Sequence, residues 1–179
     1  MINTVRLAMP AEAVDIARIQ RRAWGEDPAL KVMLSEVPAD QASRIWHQAI
    51  TRPPLAKMRV LVAIGEDGIV GFAVTAPSDD PDAGPATGQV QEFVVDVRNR
   101  DTGHGSRLMN AAVDTLRQDG FETATMWVPS QADDLRDFLV SGGWATDGAH
   151  QEATTESGQA SLKLIRLHTD ISPAPADPA

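Results

Sequence analysis

The chain predicts a mixed α/β domain, with one sheet and helices on both of its faces. Three observations predict it. Short runs rich in β-branched residues alternate with longer stretches whose apolar residues recur at helical spacing. Clusters of Gly, Pro and Asp mark the junctions between them. A length of 179 residues with 42% hydrophobic content suits a single core.

Residues 5–7 read as a first strand. Pro10 and Ala11 open a helix that runs to about Trp24, with Val14, Ile16, Ala17, Ile19 and Ala23 as its apolar stripe. Gly25-Glu26-Asp27-Pro28 breaks it. A second helix spans about residues 38–50, with Ile45, Trp46 and Ile50 as apolar positions, and Pro53-Pro54 ends it. Residues 59–64 and 69–75 are β-rich runs joined by Gly65-Glu66-Asp67-Gly68, a hairpin signal. Residues 78–88 have loop composition.

A strand over 89–95 follows, then a glycine loop and a helix over 105–118. In that helix Leu108, Ala112, Val113 and Leu116 repeat at helical spacing, and Gly120 fits its stop. Residues 123–128 form another strand. Residues 133–140 form a short helix closed by Gly142-Gly143. The chain from Trp144 onward and residues 161–168 make a closing strand pair. The predicted order is β-α-α-β-β-β-α-β-α-β-β. One domain covers residues 1–170, and the Pro/Ala-rich residues 171–179 are expected to be a disordered tail.

Composition excludes several kinds of function. The chain has no cysteine, which removes disulfides, thiolate nucleophiles and Cys-based zinc sites. No spacing suggests a metal site. A formal net charge of −9 argues against nucleic acid, whose binding needs cationic surface. No apolar run suits a membrane span, and no secretory signal is visible, so a cytoplasmic protein is the expectation.

The most informative stretch runs from Val90 to Arg107: VQEFVVDVRNRDTGHGSR. A buried strand leads through a short polar turn into R-x-x-G-x-G, carried by Arg100, Gly103 and Gly105, and this opens a helix. Glycine lets backbone approach a ligand closely, and a helix N-terminus offers free N–H groups to phosphate. Rival motifs fit worse. The dinucleotide fingerprint wants a small residue where Leu108 stands, and an acid where Val128-Pro129-Ser130 stand. A phosphate-binding loop of the Gly-Lys-Ser/Thr type is absent.

This stretch resembles motif A of the GNAT superfamily of acetyl-CoA-dependent N-acetyltransferases. The likeness extends in element order over about residues 4–168. It implies acetyl-CoA as co-substrate, with no metal, and an acceptor that is a small-molecule amine or a peptide N-terminus. By this resemblance the backbone of Asp101, Thr102, Gly103, His104, Gly105 and Ser106 wraps the pyrophosphate, with Arg100 as the motif's basic residue. His104 is expected to be a solvent-facing spacer whose amide matters. Phe93, Val94 and Val95 match the strand that pairs with the pantetheine arm, and the N–H of Val94 or Val95 would polarise the thioester carbonyl. The resemblance also admits a homodimer.

The acid and base are less clearly marked. Many members place a tyrosine four residues before a glycine-aromatic pair, to protonate the departing thiolate. The pair here is Gly143-Trp144, the position holds Leu139, and the chain has no tyrosine. Glu92 is the candidate base. Strand parity sets it opposite Gln89, Gln91 and Phe93 unless a bulge shifts the register. Gln91 and Trp24 are candidate acceptor-binding residues, and Trp46 reads as core. His150 and Glu152 read as solvated, and Asp79, Asp80 and Asp82 as loop acids. The expected activity is direct transfer of an acetyl group to a primary amine. The competing reading is a degenerate acyl-CoA-binding sensor or accessory protein on the same fold.

Overall fold

The computed structural model describes residues 3–100 and 102–173. Strand β1 (Thr4–Leu7) leads through a tight turn at Pro10–Glu12 into α1 (Ala13–Trp24), α2 (Pro28–Ser35) and α3 (Ala39–Thr51). The hairpin β2 (Arg59–Gly65) and β3 (Gly68–Pro77) follows, then β4 (Thr87–Val95). A tight turn at Val97–Asn99 precedes α4 (His104–Gln118), β5 (Thr123–Pro129) and α5 (Asp133–Ser141). The long hairpin β6 (Ala145–Thr154) and β7 (Ser161–Asp170) closes the fold. All seven strands form one sheet in the order β1-β2-β3-β4-β5-β7-β6.

Each face of the sheet carries its own core, because side chains alternate along every strand. Ile16, Ile19 and Trp46 of α1 and α3 pack on Val62, Phe72, Val74 and Val94. On the other face Leu108 and Leu116 of α4 and Leu139 of α5 pack on Ala73, Val90, Val128 and Leu167. Trp46 is core, as expected. It is 7% exposed, meets Phe72 edge-on at 5.0 Å, and its Nε1 donates to Gln20 Oε1 at 3.0 Å.

The sheet with helices on both faces matches the expectation, with three local differences. Helix α2 occupies residues left unassigned after Gly25-Glu26-Asp27-Pro28. The same residues that break α1 start α2: the Asp27 carboxylate accepts from Ala29 N and Leu30 N at 2.8 and 3.2 Å, with Pro28 at the first helical position. The first helix begins at Ala13, because residues 10–12 form a tighter turn in which Glu12 accepts from Met9 N at 2.7 Å. The fold also reaches into the expected tail. Ile171 is 1% exposed, its N–H donates to Glu122 O, and its carbonyl accepts from Arg117 Nε at 2.8 Å. Residues 174–179 lie outside the described residues.

The strands β3 and β4 approach so closely at Gly71 that a Cβ there would sit 2.8 Å from Val94 O. Gly71→Ala is therefore expected to lower stability by about 1–3 kcal/mol, because backbone must move to admit the methyl group. A denaturant midpoint measurement checks this.

Candidate functional site

The parallel strands β4 and β5 pair only at their start, where Thr87, Gly88 and Gln89 face Thr123, Ala124 and Thr125. Beyond Gln89 the two strands part, while β5 stays paired with β7 on its other edge from Thr123 to Pro129. Among the described residues the fork leaves the far edge of β4 unpaired from Val90 to Val95. Asp96 N donates to Val70 O, and Val94 O points at Gly71 of β3. In an antiparallel pair the backbone groups of successive residues point to alternate sides. Val94 therefore spends its N–H on β3, and it is Phe93 and Val95 that direct theirs into the fork. Of the two candidate donors to a thioester carbonyl, Val95 remains and Val94 does not.

A β-bulge settles where Glu92 faces. Val74 pairs with Glu92 but Thr75 pairs with Val90, so Gln91 is the extra residue. The bulge resets the alternation: Gln89 and Glu92 share the α1/α3 face, while Val90 and Phe93 point to the α4/α5 face. Glu92 lies deep in the fold with only a partly exposed edge, and it has no hydrogen-bond partner among the described residues. Burial raises its pKa from 4.5 to about 7. Asp79, Gln89, Val90, Gln91, Glu92 and Trp127 line a cavity of about 320 Å³ on this side of the fork. Gln91 thus joins the site. Trp24, partly buried at the end of α1, is not among the residues that line it.

The glycine loop sits at the open end of the fork. Gly103 precedes the first residue of α4 with φ +84°, a conformation that L side chains rarely adopt. A Cβ there would meet only the tip of Arg107, at 3.9 Å. Among the described residues no side chain caps α4, and the N–H groups of its first turn, at His104, Gly105 and Ser106, lack intrahelical partners. Thr102 Oγ1 closes the turn by donating to Asn99 O at 2.7 Å. An open, uncapped helix start with a left-handed glycine fits a pyrophosphate. Asp101 lies outside the described residues.

Two arginine contacts tie this loop to the first helices. Arg22 of α1 holds Asp96, just after β4, at 2.6 and 2.8 Å. Arg100 reaches Glu26 at 2.8 Å and Val95 O at 3.4 Å. Both Arg100 and Glu26 are about half exposed, so this pair is free to exchange for a phosphate ligand.

His104 is not the solvent-facing spacer expected between the glycines. It is 7% exposed, its ring lies against Gly65 of the β2–β3 turn, and its Nδ1 lies 3.0 Å from Arg107 Nη1. Burial and the neighbouring Arg107 charge lower its pKa, which keeps the ring neutral and able to accept from the guanidinium. His104 thereby sets the start of α4 and aims Arg107 along the loop.

Leu139, at the position of the missing tyrosine, is fully buried in the α4/α5 core. Its neighbour Phe138 stacks on Phe93 at 5.8 Å across the fork. The Ser141 hydroxyl donates back to Asp137 O within α5. None of these side chains offers an acid in the fork. His150 and Glu152 are exposed on β6, as expected.

Sequence reading missed the rim of the cavity. Asp80 and Asp82 are loop acids with a structural role. Together with Asp147 they surround Arg166 of β7 at 3.0, 2.7 and 2.6 Å. Trp127 Nε1 donates to Asp80 at 2.9 Å, and Arg166 lies over its ring. These partners are 86, 84 and 19 residues from Arg166 in sequence, and no local pattern announces them. Arg166→Ala is expected to cost about 1–3 kcal/mol, because it leaves the partly covered Asp80 and Asp147 carboxylates without their cation. Thermal unfolding at neutral pH checks it.

Comparison with known proteins places this geometry. The model of the acetyltransferase (GNAT) family matches residues 16–139. No curated protein matches the chain. Among solved structures, an N-acetyltransferase from Staphylococcus aureus Mu50 superposes with a TM-score of 0.76 at 14% identity, covering 96% of this chain and 100% of that one. The protein yncA from Salmonella typhimurium, solved with its cofactor acetyl-CoA, superposes with a TM-score of 0.72 at 20% identity, covering 100% of this chain and 99% of that one. The ribosomal-protein-S18-alanine N-acetyltransferase of Escherichia coli gives 0.66 at 15% identity, covering 99% of each chain. At these identities the likeness is one of fold, and the family match carries the assignment. With its forked strands and glycine-opened helix, the chain belongs to the GNAT family of acetyltransferases.

Proposed function

We propose that the protein transfers an acetyl group from acetyl-CoA directly to a primary amine. The observation that carries this reading is Glu92: an unpartnered carboxylate with a pKa near 7, turned by a bulge into a cavity at the fork. A general base works best when its pKa lies near the working pH. An alkylamine near pKa ~10.4 is almost wholly protonated at neutrality and must lose a proton before it attacks.

The residues then divide the work. Backbone amides from Gly103 to Ser106, with Arg100, hold the pyrophosphate. The amides of Phe93 and Val95 hold the pantetheine arm and the thioester oxygen. Glu92 takes the amine proton as nitrogen attacks the carbonyl carbon. The C–S bond breaks, and the thiolate, whose pKa is near ~8.5, takes its proton from water. Without cysteine there is no thiol to carry the acetyl group, and proximity in a ternary complex supplies much of the rate.

The buried Leu139 favours a second reading, an acyl-CoA-binding protein without turnover. Release of CoA thiol, with mass identification of the acetylated amine, separates the two. Amine-dependent release supports the transferase. Tight acetyl-CoA binding without release under any amine supports the sensor.

A further inference from the structure

We infer that the acceptor is a dicationic alkylamine, with its reacting nitrogen beside Glu92 and its second cation held at Asp79. This rests on the transferase reading above and adds the acceptor's chemical class. Among the described residues the cavity lining of Asp79, Gln89, Val90, Gln91, Glu92 and Trp127 contains two carboxylates and no Lys, Arg or His. An acceptor with an anionic group near its amine would be desolvated there against like charge, with nothing to pair it.

The nearby cation is already committed. Arg166 stands opposite Trp127 on the paired strand, and three carboxylates surround its one guanidinium, which leaves this flank negative. The same clamp fixes Trp127. Its Nε1 is held by Asp80 at 2.9 Å, so the ring offers a flat apolar wall for an alkyl chain.

Asp79 differs from Asp80 and Asp82. Among the described residues it has no cationic partner, and its Oδ1 accepts only from Gln89 Nε2 at 3.3 Å. Gln89 is 5% exposed and also donates to Pro77 O at 3.2 Å, so a buried amide sets the carboxylate at the cavity. Gln89 pairs with Ala76 and Glu92 with Val74, two rungs apart on β3, a span of roughly 7 Å. That is the reach of a short alkyl diamine. The overall charge of −9 adds long-range attraction for such a ligand.

The test compares diaminobutane, butylamine and γ-aminobutyrate at saturating acetyl-CoA, by thiol release and product mass. The expected kcat/KM for diaminobutane is about tenfold above butylamine, with γ-aminobutyrate lowest. Asp79→Asn is expected to raise KM for diaminobutane about tenfold, with little change in kcat, and to remove its advantage over butylamine. Asp79 is exposed and outside the Arg166 clamp, so the variant keeps the fold. Equal or better use of γ-aminobutyrate, transfer to amino acids alone, or an undiminished diamine preference in Asp79→Asn would overturn the acceptor class and leave the transferase reading standing. No transfer to any amine, by folded protein that binds acetyl-CoA, would overturn both.

Discussion

Acetyl-CoA affinity is expected to fall at least about a hundredfold in Gly103→Trp, and calorimetric titration checks it. Two effects combine. Gly103 has φ +84°, and forcing an L residue into that region costs about 1–2 kcal/mol. The indole also fills the open space over the first turn of α4, where only Arg107 stands nearby. Each charge-assisted hydrogen bond from an amide to phosphate is worth roughly 1.5–3 kcal/mol, so losing one or two suffices for the stated drop. Gly103→Ala separates strain from obstruction. Its methyl group meets nothing closer than 3.9 Å, so an intermediate loss of about tenfold is expected, with an unchanged circular dichroism spectrum. Equal affinity in wild type and Gly103→Trp would remove the loop from the binding site.

Glu92→Gln is expected to lower kcat by about a hundredfold or more, the usual worth of a positioned general base. The pH profile carries the diagnosis. With the carboxyl pKa raised to about 7, wild-type kcat climbs as pH rises through about 7, because the ionised form is the base. In Glu92→Gln that step disappears.

Stability moves the other way. The folded pKa lies above the ordinary glutamate value of 4.5, so the folded state binds the proton more tightly than the unfolded state does. The cost of holding the charged form is absent below about pH 4.5, grows as pH rises, and is complete above about pH 7. At about 1.4 kcal/mol per pKa unit it reaches about 3 kcal/mol. Glu92→Gln therefore raises Tm by several degrees at pH 8 and scarcely at pH 4.5. A variant that loses both activity and stability at pH 8 would mark Glu92 as structural.

Most of the architecture is legible in the sequence because its signals are local. Apolar spacing in α1, α3 and α4, the Gly65–Gly68 turn and the glycine loop each act within a few residues. Helix α2 escapes such a reading because Gly25-Glu26-Asp27-Pro28 is both a stop and a start, and only the cap geometry of Asp27 reveals the second role. The burial of His104 escapes it because that burial depends on Gly65, far away in sequence.

The site divides along the same line. The loop and Glu92 are visible as a motif. The direction of Glu92 is not, since a single bulged residue at Gln91 inverts the parity argument. Asp79, Trp127 and Arg166 are invisible as a group, because β5, β7 and the β3–β4 loop meet only in the folded sheet. The absent tyrosine is legible as a departure from the family pattern, and the structure adds that Leu139 belongs to the core.

In the proposed mechanism the glycine loop and the fork together hold an acyl-CoA. Calorimetric titration of the wild-type protein with acetyl-CoA, beside CoA, ATP and NAD, tests it most directly. Saturable one-to-one binding of acetyl-CoA and CoA is expected, with ATP and NAD weaker by at least about tenfold. Folded protein that binds neither CoA species, or that prefers ATP or NAD, would contradict it.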